Sequence, residues 1–458
     1  MDTTRSPSIL LVLGSALVAG AAALAAYSAS HPEMTLIAIV VFAILTICVL
    51  RVDIALLILV AVIPLESHYT NAPGVPLTVT KAAGVICFGS FALYVLITRR
   101  RLLLDYSHAI VLSILALAII STLQALEVQP ALTTTMRYAS FVALYFVVSQ
   151  FVGDKLLQRR IVWTLSISAS VAALIALEHF FFAPGYVYRA NLAHGDPNQV
   201  AFMLATTLPL TFWLLRERWL VRPLVAAMIV VISLAIIFTY SRSALVALGA
   251  GIVWLMIIDR KRIPLLLAAG VATVLAGFTF VQSSPSNAFR VQEGLRAKEK
   301  VADYNIDTRL GAWDAAITLA IENPLVGIGP GNFAYHYGRI TDTPPGAEPL
   351  GVVHNAYLDI AAELGLVGLG LFLTYLVLSF ARLSTAHREG SGLPGFASAV
   401  QVSLVIAATG ALTLSEQYSA QFWLLGGLAT ALWFEARRES VAPVSAAFRA
   451  APSLGRAG

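Results

Sequence analysis

Polar side chains are scarce in this chain, and several that stand at the ends of apolar stretches are types that handle phosphate and protons. His354 lies at the mouth of an apolar run from about 356 to 381, followed by Asn355 and Tyr357. A helix N-terminus disfavours a protonated imidazole and attracts anions, so a neutral histidine there could accept a proton from a hydroxyl. Capping of the helix by the same side chain is the competing reading. Arg189 sits in the polar segment from Tyr188 to Asn198, Arg242 in the short connection from Thr239 to Ser243, and Arg309 at the start of a helical pattern. Guanidinium forks match pairs of phosphate oxygens and keep their charge at any relevant pH. Any one of these arginines could instead snorkel to a lipid headgroup or pair with an acid; the three together are the stronger signal of a phosphate ligand.

Between Arg309 and His354 lies Gly327-Ile328-Gly329-Pro330-Gly331. It departs from the G-x-G-x-x-G nucleotide fingerprint and has no βαβ unit around it, so its glycines serve a tight turn or a close backbone approach to a ligand. Asn355, Asp359 and Glu363 follow at i, i+4 and i+8, one helix face about 12 Å long at 1.5 Å per residue. Acids entering an apolar helix must face the protein interior or water. They could orient a catalytic group or pair with a buried arginine. Gly365, Gly368 and Gly370 are expected to let helices pack closely. No Asp, His or Glu cluster has metal-ligand spacing, so neither a metal nor a cofactor is expected. Cys48 and Cys87 fall inside apolar runs, as packing residues do.

The elements that must position these residues are membrane helices. Apolar residues make up 58% of the chain and charged ones 12%, with a mean hydropathy of +0.81. That composition excludes a water-soluble domain of this length, and the net charge of +5 is not a nucleic-acid signal. The expected fold is an all-α polytopic membrane protein with 12–14 spans, the first near 8–28 and the next near 34–50 and 53–66. Basic clusters follow alternate spans: Arg99 to Arg101, Lys155 with Arg159 and Arg160, Arg216 to Arg222, Arg260 to Arg262, Arg382 with Arg388, and Arg437 with Arg438. The positive-inside rule makes these cytoplasmic, together with both termini, and puts the intervening loops on the other side. The chain then divides into N-terminal spans (1–281), a large outward loop (282–355), C-terminal spans (356–436) and a disordered tail (437–458). Within the loop, the charged stretch from Asn287 to Asp303 reads as a surface helix. Leu310, Trp313, Ile317 and Ile321 give a second helix an apolar face, with Asp307 as N-cap and Asn323-Pro324 as stop. The three prolines between Thr341 and Gly351 suggest a flap.

In order along the chain, these motifs resemble the O-antigen ligase/polymerase superfamily, bacterial membrane glycosyltransferases acting on undecaprenyl-diphosphate-linked glycans. The resemblance covers about 186–375, through Arg189 with Asp196-Pro197-Asn198, Ser241-Arg242-Ser243, Arg309 with Trp313, the run from Asn323 to Phe333, and His354-Asn355 with Glu363, Gly365 and Gly368. It implies a GT-C-like fold and a metal-independent, inverting transfer at the periplasmic face of the inner membrane. The donor would be an undecaprenyl-diphosphate-linked glycan, and the acceptor lipid A-core or a growing glycan. By this resemblance His354 is the candidate catalytic residue, and Arg189, Arg242 and Arg309 hold the diphosphate. Asn198, Gly327, Gly329, Gly331, Asn355, Tyr357 and Glu363 support them. Ser243 departs from the glycine common in such motifs. The rival reading is a flippase for the same lipid-linked sugars or another multi-pass transporter. Such proteins usually build their sites at mid-membrane from broken helices, whereas the unusual residues here gather at one surface.

Overall fold

The computed structural model describes residues 39, 42–43, 46–48, 51–65, 79–99, 101–151, 153–183, 187–192, 196–300, 302–340 and 352–449. The expected span near 8–28, most of that near 34–50, His194 and the proline-rich stretch 341–351 lie outside them. Every regular element among the described residues is helical, because a chain this apolar can satisfy its backbone in lipid within each helix. Nine helices precede the large loop: α1 (Val52–Val62), α2 (Val79–Thr98), α3 (Tyr106–Thr122), α4 (Val128–Gln150), α5 (Lys155–Phe182), α6 (Pro197–Trp213), α7 (Arg222–Phe238), α8 (Arg242–Ile258) and α9 (Ile263–Gln282). The loop holds α10 (Pro285–Lys300), α11 (Ala302–Glu322) and α12 (Phe333–Ile340). The chain returns through α13 (Ala356–Glu389), α14 (Phe396–Gly410) and α15 (Ala420–Arg449). Seven helices among the described residues are long and apolar enough to cross a bilayer, and shorter apolar helices pack between them.

Helix α13 is the hub, in contact with α3, α11, α14 and α15. Tyr375 and Phe372 on it meet Trp423 and Phe422 of α15 in the largest buried aromatic group. At the other extreme, only 6% of the apolar window of α9 is buried, and Leu267, Val271, Val274 and Phe278 point outward. Water would penalise that surface; hydrocarbon accepts it.

Charge sorts the two ends of the bundle. Helices α5 and α7 start in basic segments and finish beside Arg189 and Arg242, whereas α6, α8 and α13 start at that site end and run toward basic segments. At the basic end, sequence-distant segments meet through ion pairs of Arg159 with Glu217, Arg160 with Asp53 and Arg216 with Asp259, which also pairs locally with Arg262.

Three local expectations need correction. Helix α11 starts at Ala302, so Asp307 lies inside it and is not its cap; backbone bonding extends the helix ahead of its first apolar contact. The last helix runs to Arg449, through much of the stretch expected to be disordered, as its alanines favour. Gly365 does not permit close packing of a continuous helix: it breaks α13, with φ 73° and ψ 178°, a conformation essentially reserved for glycine.

Candidate functional site

The break in α13 explains the glycine-rich loop. A continuous helix would bond the Leu366 amide to the Ala362 carbonyl; instead Leu366 N–H donates to the Pro324 carbonyl at 2.8 Å. The stranded carbonyls of Ala362 and Glu363 accept from Ile328 N–H at 3.0 Å and Gly329 N–H at 3.1 Å. The loop thus stands in for a missing helical turn. Gly327, Gly329 and Gly331 all have positive φ, and a Cβ on Gly327 would lie 2.3 Å from the Glu363 carbonyl. A Cβ on Gly331 would meet Thr134 Oγ1 of α4 at 2.4 Å, and one on Gly329 would meet Ala125. These glycines dock backbone against backbone, and the amide of Gly329 is spent on protein.

Glu363 completes the docking. Its carboxylate accepts from Phe333 N–H at 3.3 Å and from the Tyr418 hydroxyl, and its carbonyl takes the Ser121 hydroxyl at 2.8 Å. Asp359, one turn earlier, accepts from Gln417 at 2.7 Å. Both acids face the interior, at 3% and 5% exposure, but among the described residues neither pairs with an arginine. Tyr357 is likewise committed, donating to the Ala408 carbonyl at 2.8 Å.

His354 is held differently. Asn355 caps α13, its Oδ1 accepting from Tyr357 N–H at 3.0 Å and Leu358 N–H at 3.2 Å. His354 itself stands one residue before the cap, at φ 52° in the left-handed region. The residue before it is pinned: Val353 is buried and its carbonyl accepts from the Trp313 indole at 2.9 Å. Two anchored neighbours therefore force a conformation that costs an L-residue about 1–2 kcal/mol, and the imidazole has no hydrogen-bond partner among the described residues. Burial, then the charge of Arg309, lowers its pKa below the ordinary 6.5 against an opposing pull from Asp196. Burial thus favours the neutral ring, and its nitrogens are unclaimed among the described residues.

The cations gather at the same end. Arg189 donates from Nε to the Thr239 carbonyl and from a terminal nitrogen to Asn198 Oδ1, both at 2.7 Å. Asn198 is held in turn by Asp196, which caps α6 and accepts from the Asn198 amide and side chain at 2.8 and 3.1 Å. Arg242 is the first residue of α8, capped by Ser241, and its side chain is exposed. Arg309 on α11 is half-buried and reaches the fields of both His354 and Arg189. Burial pulls Arg189 and Arg309 below the usual guanidinium value, with Asp196 opposing. Among the described residues none of the three arginines forms an ion pair with a carboxylate within 4.0 Å. Asp196 acts on several of them without direct contact. Such a concentration of fixed positive charge suits a multiply charged anion.

Two residues of this region escaped the sequence reading. Lys298, near the end of α10, lies in the field of all three arginines; burial and those charges pull its pKa down to about 8. Its stretch of sequence reads as a charged surface helix, and nothing in the spacing marks one lysine of it. Glu416, in the short helix before α15, is 5% exposed beside Asp196, and burial, then that neighbour, raises its carboxyl well above the usual range. A lone acid between two apolar spans was the available signal.

Fold and site together define a multi-pass helical membrane protein with a cationic, histidine-bearing cluster at one end of its bundle. A family model described as O-antigen ligase matches residues 227–373, from α7 to the middle of α13, and supports the likeness of this region to the O-antigen ligase/polymerase superfamily. Glycan transfer of the O-antigen ligase type is the activity this match supports. No curated protein matches the chain. The matched stretch holds Arg242, Lys298, Arg309, the glycine loop, His354 and Glu363; Arg189, Asn198 and Glu416 lie outside it.

Proposed function

We propose that this protein transfers a glycan from an undecaprenyl-diphosphate carrier to a sugar hydroxyl at the periplasmic face of the bacterial inner membrane, as an O-antigen ligase or polymerase. The observation that carries the reading is a histidine excused from capping by Asn355 and lying in the field of Arg309, which shares its surroundings with Arg189; among the described residues the imidazole has no hydrogen-bond partner and neither arginine an ion-paired acid. The acceptor oxygen attacks the anomeric carbon from the face opposite the diphosphate, the carbon–oxygen bond to the phosphate breaks, and the configuration inverts. His354 takes the acceptor proton, and Arg189, Arg242 and Arg309 stabilise the charge gathering on the departing diphosphate. In this reading the arginines perform the charge neutralisation that a divalent cation supplies elsewhere.

The carrier's tail has a matching place. An apolar cavity of about 310 Å³ runs between α6, α7, α8, α9 and α14, with Leu245, Leu248 and Leu255 on its wall. Leu245 is one turn past Arg242, so a lipid headed by phosphate could lay its chain along α8 (hypothesis). The positive-inside pattern of the opposite end supports a periplasmic site.

The test uses purified protein with a lipid-linked glycan donor and a sugar acceptor. His354→Asn keeps a side chain that tolerates the left-handed backbone while removing the base. Transfer should fall by about 100-fold or more, the usual worth of a positioned base, with an unchanged thermal transition; normal turnover refutes the assignment. Deleting the gene and examining surface glycans separates the two members: carrier-linked polymer absent from lipid A-core indicates a ligase, single repeat units a polymerase.

A further inference from the structure

We infer that Lys298 binds the carrier's leaving phosphate, supplying the one positive charge the transfer step requires beyond the three arginines. The inference rests on the glycan-transfer reading and adds to it a residue outside the motifs.

Geometry places the lysine there. One face of α10 is docked along its length. Asn287 donates to the Phe280 carbonyl at 3.1 Å, Arg290 donates to the Phe180 and Ala183 carbonyls at 3.1 and 3.0 Å, and the Val291 carbonyl takes the Tyr240 hydroxyl at 3.4 Å. Gly294 continues that face: a Cβ on it would lie 2.8 Å from both the Tyr188 carbonyl and the Tyr240 ring. Tyr188 precedes Arg189, and Tyr240 stands two residues before Arg242. Lys298 is four residues past Gly294, the next position on the same face. The absence of a side chain at Gly294 thus lets α10 carry an ammonium group up to the arginines. The lysine is half-buried and has neither hydrogen bond nor ion pair among the described residues. Around it stand Arg189 and Asp196 from the connection between α5 and α6, Arg242 of α8 and Arg309 of α11. Helix α9 offers no titratable side chain, and on α10 itself Arg296 is paired with Glu293 at 2.8 Å.

Charge balance gives the lysine its task. Arg189, Arg242 and Arg309 offset by Asp196 leave a net charge of two, which matches a diphosphate esterified at both ends. When the bond to the anomeric carbon breaks, the phosphate oxygen keeps the electron pair and the diphosphate gains a third negative charge. The acceptor proton goes to His354 and does not cancel it. A charged Lys298 does, and it interacts more strongly with the transition state and product than with the donor, which is how a group lowers a barrier. With its pKa pulled down to about 8, the lysine is charged at neutral pH and loses that charge as pH rises through this value.

The experiment compares wild type, Lys298→Met and Lys298→Arg in the same assay from pH 6.5 to 9.5, with undecaprenyl diphosphate as product inhibitor. Lys298→Met should lower kcat about 10-fold or more, the worth of a charge-assisted hydrogen bond, leave KM for the donor within about threefold, and weaken product inhibition in proportion. Wild-type kcat/KM should decline above about pH 8, and Lys298→Arg should restore turnover and remove that decline. A Met variant with wild-type kcat and product inhibition overturns the inference, as does an Arg variant that keeps the alkaline decline. His354→Asn decides the underlying reading separately, because it must abolish transfer whatever Lys298 does.

Discussion

His354 and Arg242 show how residues are made available by what their neighbours do. Asn355 relieves the histidine of capping, and Trp313 fixes the residue before it. Arg242 is fixed at its backbone by the Ser241 cap while its side chain stays exposed. A lysine there keeps the charge but not the two-pronged contact with phosphate. Arg242→Lys should therefore raise KM for the lipid-linked donor about 10-fold, by loss of roughly one charge-assisted hydrogen bond. Wild-type donor kinetics would remove Arg242 from the diphosphate site. Residue types alone supported the arginines and the histidine as candidates. They did not separate capping from catalysis at His354, because that choice depends on the rotamer of Asn355. Nor did they reveal Lys298, whose meaning comes from Gly294 packing against segments about a hundred and about fifty residues earlier.

Among the elements, the interrupted α13 and the loop that repairs it are one structure made of two distant stretches. Gly327→Ala places a methyl group 2.3 Å from the Glu363 carbonyl at a positive φ. It should cost roughly 2–4 kcal/mol, from left-handed strain plus overpacking, read as a lowered thermal transition in detergent. Gly89→Ala in α2, where a Cβ meets nothing within 4 Å, serves as the control and should be neutral or slightly stabilising. Equal stability of the two variants would contradict the docking. The glycine pattern announced a special backbone but not its purpose. A turn, a ligand cradle and a graft onto a broken helix all demand glycine, and only the partner carbonyls tell them apart.

For the molecule as a whole, the end opposite the site is locked by a buried ionic cluster. Arg382 of α13, 3% exposed, pairs with Asp105, donates to Ser107 at 2.7 Å and Thr430 at 2.8 Å, and lies 4.4 Å from the ring centre of Trp433. Three helices or their caps thus meet at one guanidinium. Arg382→Met leaves Asp105 without its cation, and stability should fall by about 3–5 kcal/mol; an unchanged transition would show the cluster to be dispensable. Burial alone would raise the Asp105 carboxyl, but hydrogen bonding with His108 and Ser107 and the charge of Arg382 hold it down at about 2. A depressed acid stabilises the fold above its unfolded pKa of about 4, and that contribution is lost as pH falls toward 2. The wild-type thermal transition should therefore drop over that window more steeply than that of Asp105→Asn.

What the sequence determined by itself was the solvent and the alternation of basic helix ends. Long apolar runs dictate helices in hydrocarbon, and basic clusters at alternate ends sort the loops, because both effects are local sums over neighbouring residues. What the tertiary structure decided was which polar groups are spent and which are left over. Glu363, Asp359, Tyr357 and the loop glycines are consumed in holding α13 together, whereas the side chains of His354, Arg242, Arg309 and Lys298 make no hydrogen bond among the described residues. Availability for chemistry is a property of what remains after all other contacts are made, and those contacts join residues far apart in the chain, 242 positions between Ser121 and Glu363.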